Sequence, residues 1–361
     1  MSSVSLFAPA KLGSLYLKNR IVMAPMTRCR AVEDARPNAL MAQYYGQRAG
    51  AGLIVTEGTS PSPNGTGYAR IPGIWSAEQV TGWKEVARAV HAKGGRMFVQ
   101  LMHTGRVGHP QNLPAGAQLL APSAIACEGE MYTDAKGLLP YPVPRAMSDA
   151  EVRAAVDEFV KAAEHAVAAG LDGVEIHGAN GYLVEQFLSP QTNQRTDAWG
   201  GSVEKRLAFA VKVAGEVAQA VGGERVGIRL SPYGANAGMK PYPEIDATYI
   251  ALLERLVPTG LQYVHLVDHS SMGAPVVPEA LKWALRKAWP RMLIVSGGMD
   301  RAKAEAALRE GKGDLVAFGR PFIANPDLVE RLEKGISLAQ PDPATFYTPG
   351  PKGYTDYPVA G

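Results

Sequence analysis

Eight short runs of the chain are almost wholly apolar, and longer stretches with a single apolar stripe separate them. The runs cover residues 21–24, 53–56, 97–101, 174–176, 226–230, 263–267, 293–296 and 315–318. Runs this short, rich in β-branched residues and without polar alternation, predict strands covered on both faces. The stretches between them predict helices over roughly 38–50, 77–94, 148–170, 203–221, 247–257, 278–288, 301–311 and 325–333. The clearest starts at Ser148, which forms a capping box with Glu151; Val152, Val156, Phe159, Val160 and Val167 make its stripe, and Gly170 stops it. Strand and helix in eightfold alternation predict an α/β fold, a (β/α)8 TIM barrel.

One connection breaks the rhythm. Between the third strand and the Ser148 helix lie about 45 residues, far beyond an ordinary loop. They include Pro110, Pro114, Pro122, Pro140, Pro142 and Pro144. An excursion of this kind is expected to cover a site. No internal repeat, low-complexity tract or linker divides the chain, so residues 1–361 are expected to form one domain.

Composition narrows the class. A chain of 361 residues, 46% hydrophobic and 20% charged, fits a single barrel with insertions. The formal charge of +3 is small and Lys and Arg are scattered, so neither nucleic acid nor an acidic membrane surface is indicated. Cys29 and Cys127 stand far apart without a CxxC, against a disulfide framework, an iron–sulfur cluster or a zinc knuckle. No secretion signal opens the chain and no apolar run reaches the length of a membrane span. A soluble protein of the reducing cytoplasm is the expectation; nothing in the pattern fixes its oligomeric state.

Active sites of this architecture lie at the carboxyl ends of the strands. Those ends carry Thr27 after Ala24-Pro25-Met26, Glu57-Gly58-Thr59, Gln100 and His103, His177 with Asn180, Arg229, Asp268-His269, Gly297-Gly298 and Gly319-Arg320. His177 and Asn180 are three apart, a spacing that sets both on one side of a turn or first helical coil, where two donors converge on one oxygen. Tyr182 follows with a phenolic proton. Such a trio suits a reaction that builds negative charge on a carbonyl oxygen and then protonates a neighbouring carbon. His and Asn after a strand also serve as plain loop caps.

Gly297-Gly298 opening onto a helix start, with Gly319-Arg320 beside it, would gather backbone N–H groups, a helix dipole and a guanidinium, a set that suits a phosphate. Glycines also mark ordinary tight turns. Gln100 both donates and accepts in one plane, matching the edge of a heterocycle such as the flavin pyrimidine. Arg229 inside a barrel needs an anion: a reduced flavin, or a buried acid such as Glu57.

Other classes fit less well. No strand ends in Lys, so a Schiff-base aldolase lacks its nucleophile. A metal-dependent TIM-barrel hydrolase is the runner-up, since His103, His177, His265, Asp268 and His269 could supply ligands, though no His-x-His follows the first strand. His91, His165, Trp283 and Trp289 read as helix packing residues. A non-catalytic barrel would not need so many polar strand ends.

With these residues in hand, the chain resembles the old yellow enzyme family of FMN-dependent ene-reductases over nearly its whole length. The motifs are Asn19-Arg20-Ile21-Val22-Met23-Ala24-Pro25-Met26-Thr27-Arg28, Gln100-Leu101-Met102-His103-Thr104-Gly105-Arg106 and His177-Gly178-Ala179-Asn180-Gly181-Tyr182-Leu183. Gly353-Tyr354-Thr355-Asp356-Tyr357-Pro358 closes the match.

The resemblance implies FMN as cofactor and NADPH, or less readily NADH, as reductant. It implies that the flavin passes a hydride to the β-carbon of an activated alkene such as an enone, maleimide or nitroalkene. By the same resemblance Thr27 would bond the flavin O4, Gln100 the pyrimidine edge and Arg229 the N1 and O2 side. Backbone near Ala24, Pro25, Met26 and Gly58 would complete the ring contacts; Gly297, Gly298, Gly319 and Arg320 would hold the phosphate. His177 and Asn180 would bind the substrate oxygen, Tyr182 would give the proton, and Tyr68, Met102 and Tyr347 would shape the substrate face. Met102 stands where many members carry Trp, which leaves the substrate pose and stereochemical outcome open. Thr27 places the chain in the Thr-bearing branch, so Cys29 is not the flavin-tuning cysteine of the other branch.

Overall fold

The eight apolar runs close on one another as a parallel barrel, because each is buried on both faces and only closure satisfies all their backbone groups. The computed structural model describes residues 5–360. The expected domain spanned 1–361, so residues 1–4 and 361 lie outside the described part.

A hairpin of β1 (Ala10–Leu12) and β2 (Leu15–Leu17) precedes β3 (Ile21–Met23), α1 (Ala39–Gln47), β4 (Leu53–Thr59), α2 (Ala77–His91) and β5 (Met97–Leu101). The excursion follows, with β6 (Leu120–Ala121), β7 (Glu130–Thr133), β8 (Gly137–Pro140) and β9 (Arg145–Ala146). Next come α3 (Asp149–Ala168), β10 (Gly173–Gly178), α4 (Leu183–Leu188), α5 (Val203–Val221), β11 (Val226–Leu230), α6 (Ile245–Leu256) and β12 (Tyr263–Val267). The chain ends with α7 (Glu279–Ala288), β13 (Met292–Ser296), α8 (Arg301–Arg309), β14 (Leu315–Phe318), α9 (Pro321–Ala324) and α10 (Leu328–Lys334). The barrel order is β3, β4, β5, β10, β11, β12, β13, β14, and β14 returns to β3 through Val316 against Ile21.

Two elements were longer than the pattern predicts. β4 runs on to Thr59 through an irregularity between Val55 and Gly58. β10 runs to Gly178, so His177 is a strand residue and not part of a turn or coil. The helix expected over 325–333 starts later, at Leu328, with the short α9 before it. The Ser148 capping box on α3 forms as expected, and Ser76 with Gln79 makes a second on α2.

Among the described residues two large apolar cores divide the work. One packs helices on the outside of the strands, with Trp83, Val90, Phe159, Phe187 and Leu253 among its members. The other fills the bottom of the barrel: Val22, Leu53, Val55, Phe98, Tyr263, Ile294 and Leu315 meet there, and Leu12 and Leu17 of the first hairpin plug the floor. Each such side chain, fully buried, contributes about 1.5–3 kcal/mol. Above this plug the lining turns polar. Trp289 and the half-buried His91 and His165 pack or bond as expected, His91 to Asp172 at 2.8 Å and His165 to the Ile74 carbonyl at 2.8 Å. Trp283 does not: it is 45% exposed on α7.

The excursion folds over the mouth. β7 and β8 pair as an antiparallel hairpin and β6 pairs parallel with β9. Arg106 ties the start of the excursion to the Ala126 carbonyl at 3.1 Å and to the Ala237 carbonyl at 3.0 Å. At the hairpin tip Asp134 pairs with Arg70, whose guanidinium also donates to the carbonyls of Cys29 at 3.1 Å and Tyr347 at 2.8 Å.

Gly227 shows how tightly the barrel interior is fitted. A Cβ there would lie 2.1 Å from the Tyr263 ring, so the ring occupies space that only a glycine leaves free. Gly227→Val is expected to lower stability by about 1–3 kcal/mol or more through overpacking. Chemical denaturation checks this: the midpoint should fall, and an unchanged midpoint would mean the ring moves aside at no cost.

Candidate active site

The polar layer of the barrel is built around one carboxylate. Glu175 alternates with His177 along β10, so both point inward, Glu175 one layer deeper. Fully buried, Glu175 accepts from Gln100 Nε2 at 2.8 Å, Tyr263 OH at 3.0 Å and His265 Nδ1 at 3.0 Å. Burial opposes its charge, but His265, Arg229 and the Gln100 bond outweigh that and hold its pKa below the usual carboxylate range. Burial keeps His265 neutral, against the pull of Glu175. Arg229 lies in register between His177 and His265 and is only 6% exposed, yet its guanidinium has no hydrogen-bond partner among the described residues. The Gln100 carbonyl oxygen is also unengaged.

Nearer the mouth, His177, Asn180 and Tyr182 gather at the end of β10. His177 Nδ1 accepts from the Ala179 N–H at 3.3 Å, which assigns the ring proton to Nε2 and leaves it free to donate. Burial, with Arg229, His265 and His269 nearby, pushes His177 well below its ordinary pKa and keeps it neutral. Asn180 sits at φ 60° and its N–H donates to Ser231 Oγ at 2.8 Å. Ser231 in turn donates to Glu185, which also accepts from Gly181 N at 2.6 Å and Tyr249 OH at 2.5 Å. The Tyr182 ring stands edge-on to His177 at 4.7 Å, and its hydroxyl is 2.9 Å from that of Tyr68. Burial raises Tyr182 to about 12, the Tyr68 bond pulling the other way.

Around this trio Met102, Cys29 and Ile71 form an apolar cluster against which Tyr68 and Tyr182 pack. Thr27 is half-buried and precedes Arg28, whose N–H is held by Glu57 at 3.1 Å; Glu57 also accepts from Tyr45 OH at 3.2 Å. Gly58, at the end of β4, is in register with Gln100. Tyr347 is 59% exposed, its carbonyl held by Arg70. On the far side β13 and β14 bring Gly297, Gly298, Gly319 and Arg320 together. Gly297 lies at φ 128°, where its missing Cβ would meet the Asp268 carbonyl at 2.1 Å. The N–H groups of these four residues find no acceptor among the described residues.

The match to known proteins decides what kind of site this is. A profile described as the NADH:flavin oxidoreductase / NADH oxidase family matches residues 5–339. A probable flavin mononucleotide-dependent alkene reductase of Leishmania infantum is 42% identical over 356 residues, covering 97% of this chain and 96% of its own. The chain belongs to the NADH:flavin oxidoreductase / NADH oxidase family. Among solved structures, morphinone reductase matches this flavin oxidoreductase with a TM-score of 0.95 at 45% identity, covering 99% of this chain and 97% of that one. Morphinone reductase has also been solved in complex with tetrahydroNAD. An old yellow enzyme homologue from Zymomonas mobilis matches with a TM-score of 0.93 at 40% identity, covering 99% of this chain and 100% of that one.

The residues of this flavin oxidoreductase fit FMN. An unpaired buried guanidinium at Arg229, a free carbonyl on Gln100 and four unspent backbone N–H groups beside Arg320 are the donor set an isoalloxazine edge and a phosphate call for.

Several expectations need correction. The carboxylate near Arg229 is Glu175, because Glu57 is committed to the Arg28 backbone and Tyr45. At the helix after Gly297-Gly298, Asp300 caps α8 by accepting from Lys303 N at 2.8 Å, so that one first-turn N–H is already engaged. The metal-hydrolase alternative is not supported. Asp268 pairs with Lys282 at 2.9 Å, His265 with Glu175 and His269 with Asn180, and no group of three or more His, Cys, Asp or Glu is placed to hold a metal among the described residues.

Sequence reasoning missed Glu175, Ser231 and Glu185, and read His269 as a strand-end residue and candidate metal ligand without pairing it with Asn180. Glu175 alone left a signal, a lone charge in an apolar strand two residues before His177. Among the described residues no helix is long and apolar enough to cross a membrane, and Cys29 and Cys127 are free and buried.

His103 gives a pH prediction. Burial lowers it to about 4 from 6.5; its Nδ1 accepts from Gly105 N at 3.1 Å and its Nε2 is buried without a partner. The unfolded chain therefore takes a proton below 6.5 that the fold refuses, and His103 lowers stability as pH falls towards about 4. A His103→Asn variant lacks this loss. Urea midpoints across that range should show it gaining on the parent by up to about 1.4 kcal/mol per pH unit. A constant difference would show that His103 titrates normally.

Proposed function

We propose that this flavin oxidoreductase is an NADPH-dependent ene-reductase, using NADH less readily, that saturates activated alkenes such as enones, maleimides and nitroalkenes. The observation that carries the reading is the pair of free donors at the mouth. His177 presents Nε2–H because Nδ1 is engaged, and Asn180 presents Nδ2–H because Oδ1 is engaged by His269 at 2.7 Å. Both flank Tyr182.

Bound FMN would supply the hydride it has taken from the nicotinamide dinucleotide. Thr27, Gln100, Arg229, Gly58 and the backbone of Ala24, Pro25 and Met26 would seat its ring; Gly297, Gly298, Gly319 and Arg320 would seat its phosphate. His177 and Asn180 bind the carbonyl or nitro oxygen and stabilise the charge that grows there as the β-carbon is reduced. A neutral imidazole suits this role, since it donates without giving up its proton. Tyr182, kept protonated up to about 12, delivers its proton to the α-carbon, and Tyr68 steadies its hydroxyl. Met102, Tyr68 and Tyr347 shape the face on which the alkene lies.

Each lost oxygen donor is expected to cost about 3 kcal/mol, on the order of a hundredfold in turnover. His177→Ala and Asn180→Ala should therefore cripple cyclohex-2-enone reduction while the purified protein keeps its FMN absorbance. Full turnover in both variants would refute the assignment. Tyr182→Phe should still be bleached by NADPH but return its colour slowly with the enone; recovery at the parent rate would remove Tyr182 from the proton step.

A further inference from the structure

Asn180 can act on a substrate oxygen only in one of its two amide orientations. Turned over, it would present its own carbonyl oxygen to the substrate and repel it. Something must set that choice, and nothing in the Asn180 backbone does: its N–H goes to Ser231, which leaves χ2 free.

The side-chain oxygen has two partners. His269 Nε2 lies 2.7 Å from Asn180 Oδ1, and Asn236 Nδ2 approaches the same atom at 3.4 Å. With Oδ1 turned toward both, the Asn180 atom is an acceptor, so His269 donates and its ring proton lies on Nε2. His269 itself is held firmly. It follows β12 by two residues, is 9% exposed, and its carbonyl accepts from Met272 N at 2.8 Å and Ala274 N at 3.3 Å.

We propose that His269 is a positioning residue: its Nε2–H fixes the Asn180 carboxamide so that Nδ2–H faces the substrate oxygen. The inference rests on the reading of Asn180 as an oxygen donor given above. It also explains why a histidine stands there at all, because its side chain bonds no other side chain among the described residues. Burial and the nearby Arg229 charge keep it neutral, so it carries one ring proton and spends it on Asn180.

The test is a double-mutant cycle on the FMN-loaded enzyme with cyclohex-2-enone as substrate. His269→Phe keeps a ring but no donor, and is expected to lower kcat/KM on the order of tenfold, the scale of one lost hydrogen bond. In an Asn180→Ala background the same change should cost nothing further, because the group it orients is gone. His269→Gln, which restores an N–H donor, should recover most of the loss, a rescue that a packing role would not give. His269→Ala stands in should the Phe variant not fold.

The inference is overturned if His269→Phe and His269→Ala both match the parent, if their loss multiplies with that of Asn180→Ala, or if His269→Gln recovers nothing. Should Asn180→Ala alone leave kcat/KM unchanged, the reading of Asn180 itself fails, and that outcome is separable because it appears before His269 is touched.

Discussion

The site depends on keeping one negative charge inside a barrel. Glu175 is fully buried, so its charge survives only because Gln100, Tyr263, His265 and Arg229 surround it. That requirement fixes the neighbours in turn. Gln100 must turn its amide down toward Glu175, which leaves its carbonyl facing up. Arg229 is attracted by the charge without being consumed by it. The two groups read as binders of a flavin edge are thus aimed by the same carboxylate, one layer below the reaction. Tyr263 joins this layer to the apolar plug beneath, and Gly227 makes room for its ring. Stability and chemistry meet in that ring.

A second support holds the substrate side. Glu185 fastens Gly181, Ser231 and Tyr249, and Ser231 fastens Asn180, so the left-handed turn at Asn180 is held by its own backbone bonds. Burial raises Glu185 to about 7, against the pull of its three donors. Glu185 on α4, Ser231 just after β11 and His269 in the loop after β12 therefore hold Asn180 together, the first two through its backbone and the third through its carboxamide. These three come from three successive βα units, which is how a barrel assembles precise geometry from rigid parts.

How much of this was legible in the sequence follows from the range of each interaction. The strands were readable because burial on both faces leaves a continuous apolar run. His177, Asn180 and Tyr182 were readable because a short polar cluster breaks one of those runs. The floor hairpin at β1 and β2 was not, since its strands of three residues carry too little pattern. The hairpin of β7 and β8 was hidden in proline-rich sequence. His269 could not be paired with Asn180 across a separation of 89 residues, and Glu175 shared a run with residues that mark a buried strand. Asp300 is an ordinary helix cap, overlooked because the two glycines before it drew the eye to the helix start.

Arg70 has one further consequence. A single guanidinium grips the turn after β3, the tip of the covering hairpin and the backbone of Tyr347 near the carboxyl end. Roof, wall and tail of the entrance are therefore fastened at one rivet. Transplanting the covering hairpin from a cousin enzyme without its matching tail would leave that rivet short of an anchor, so the two segments must be exchanged as a pair.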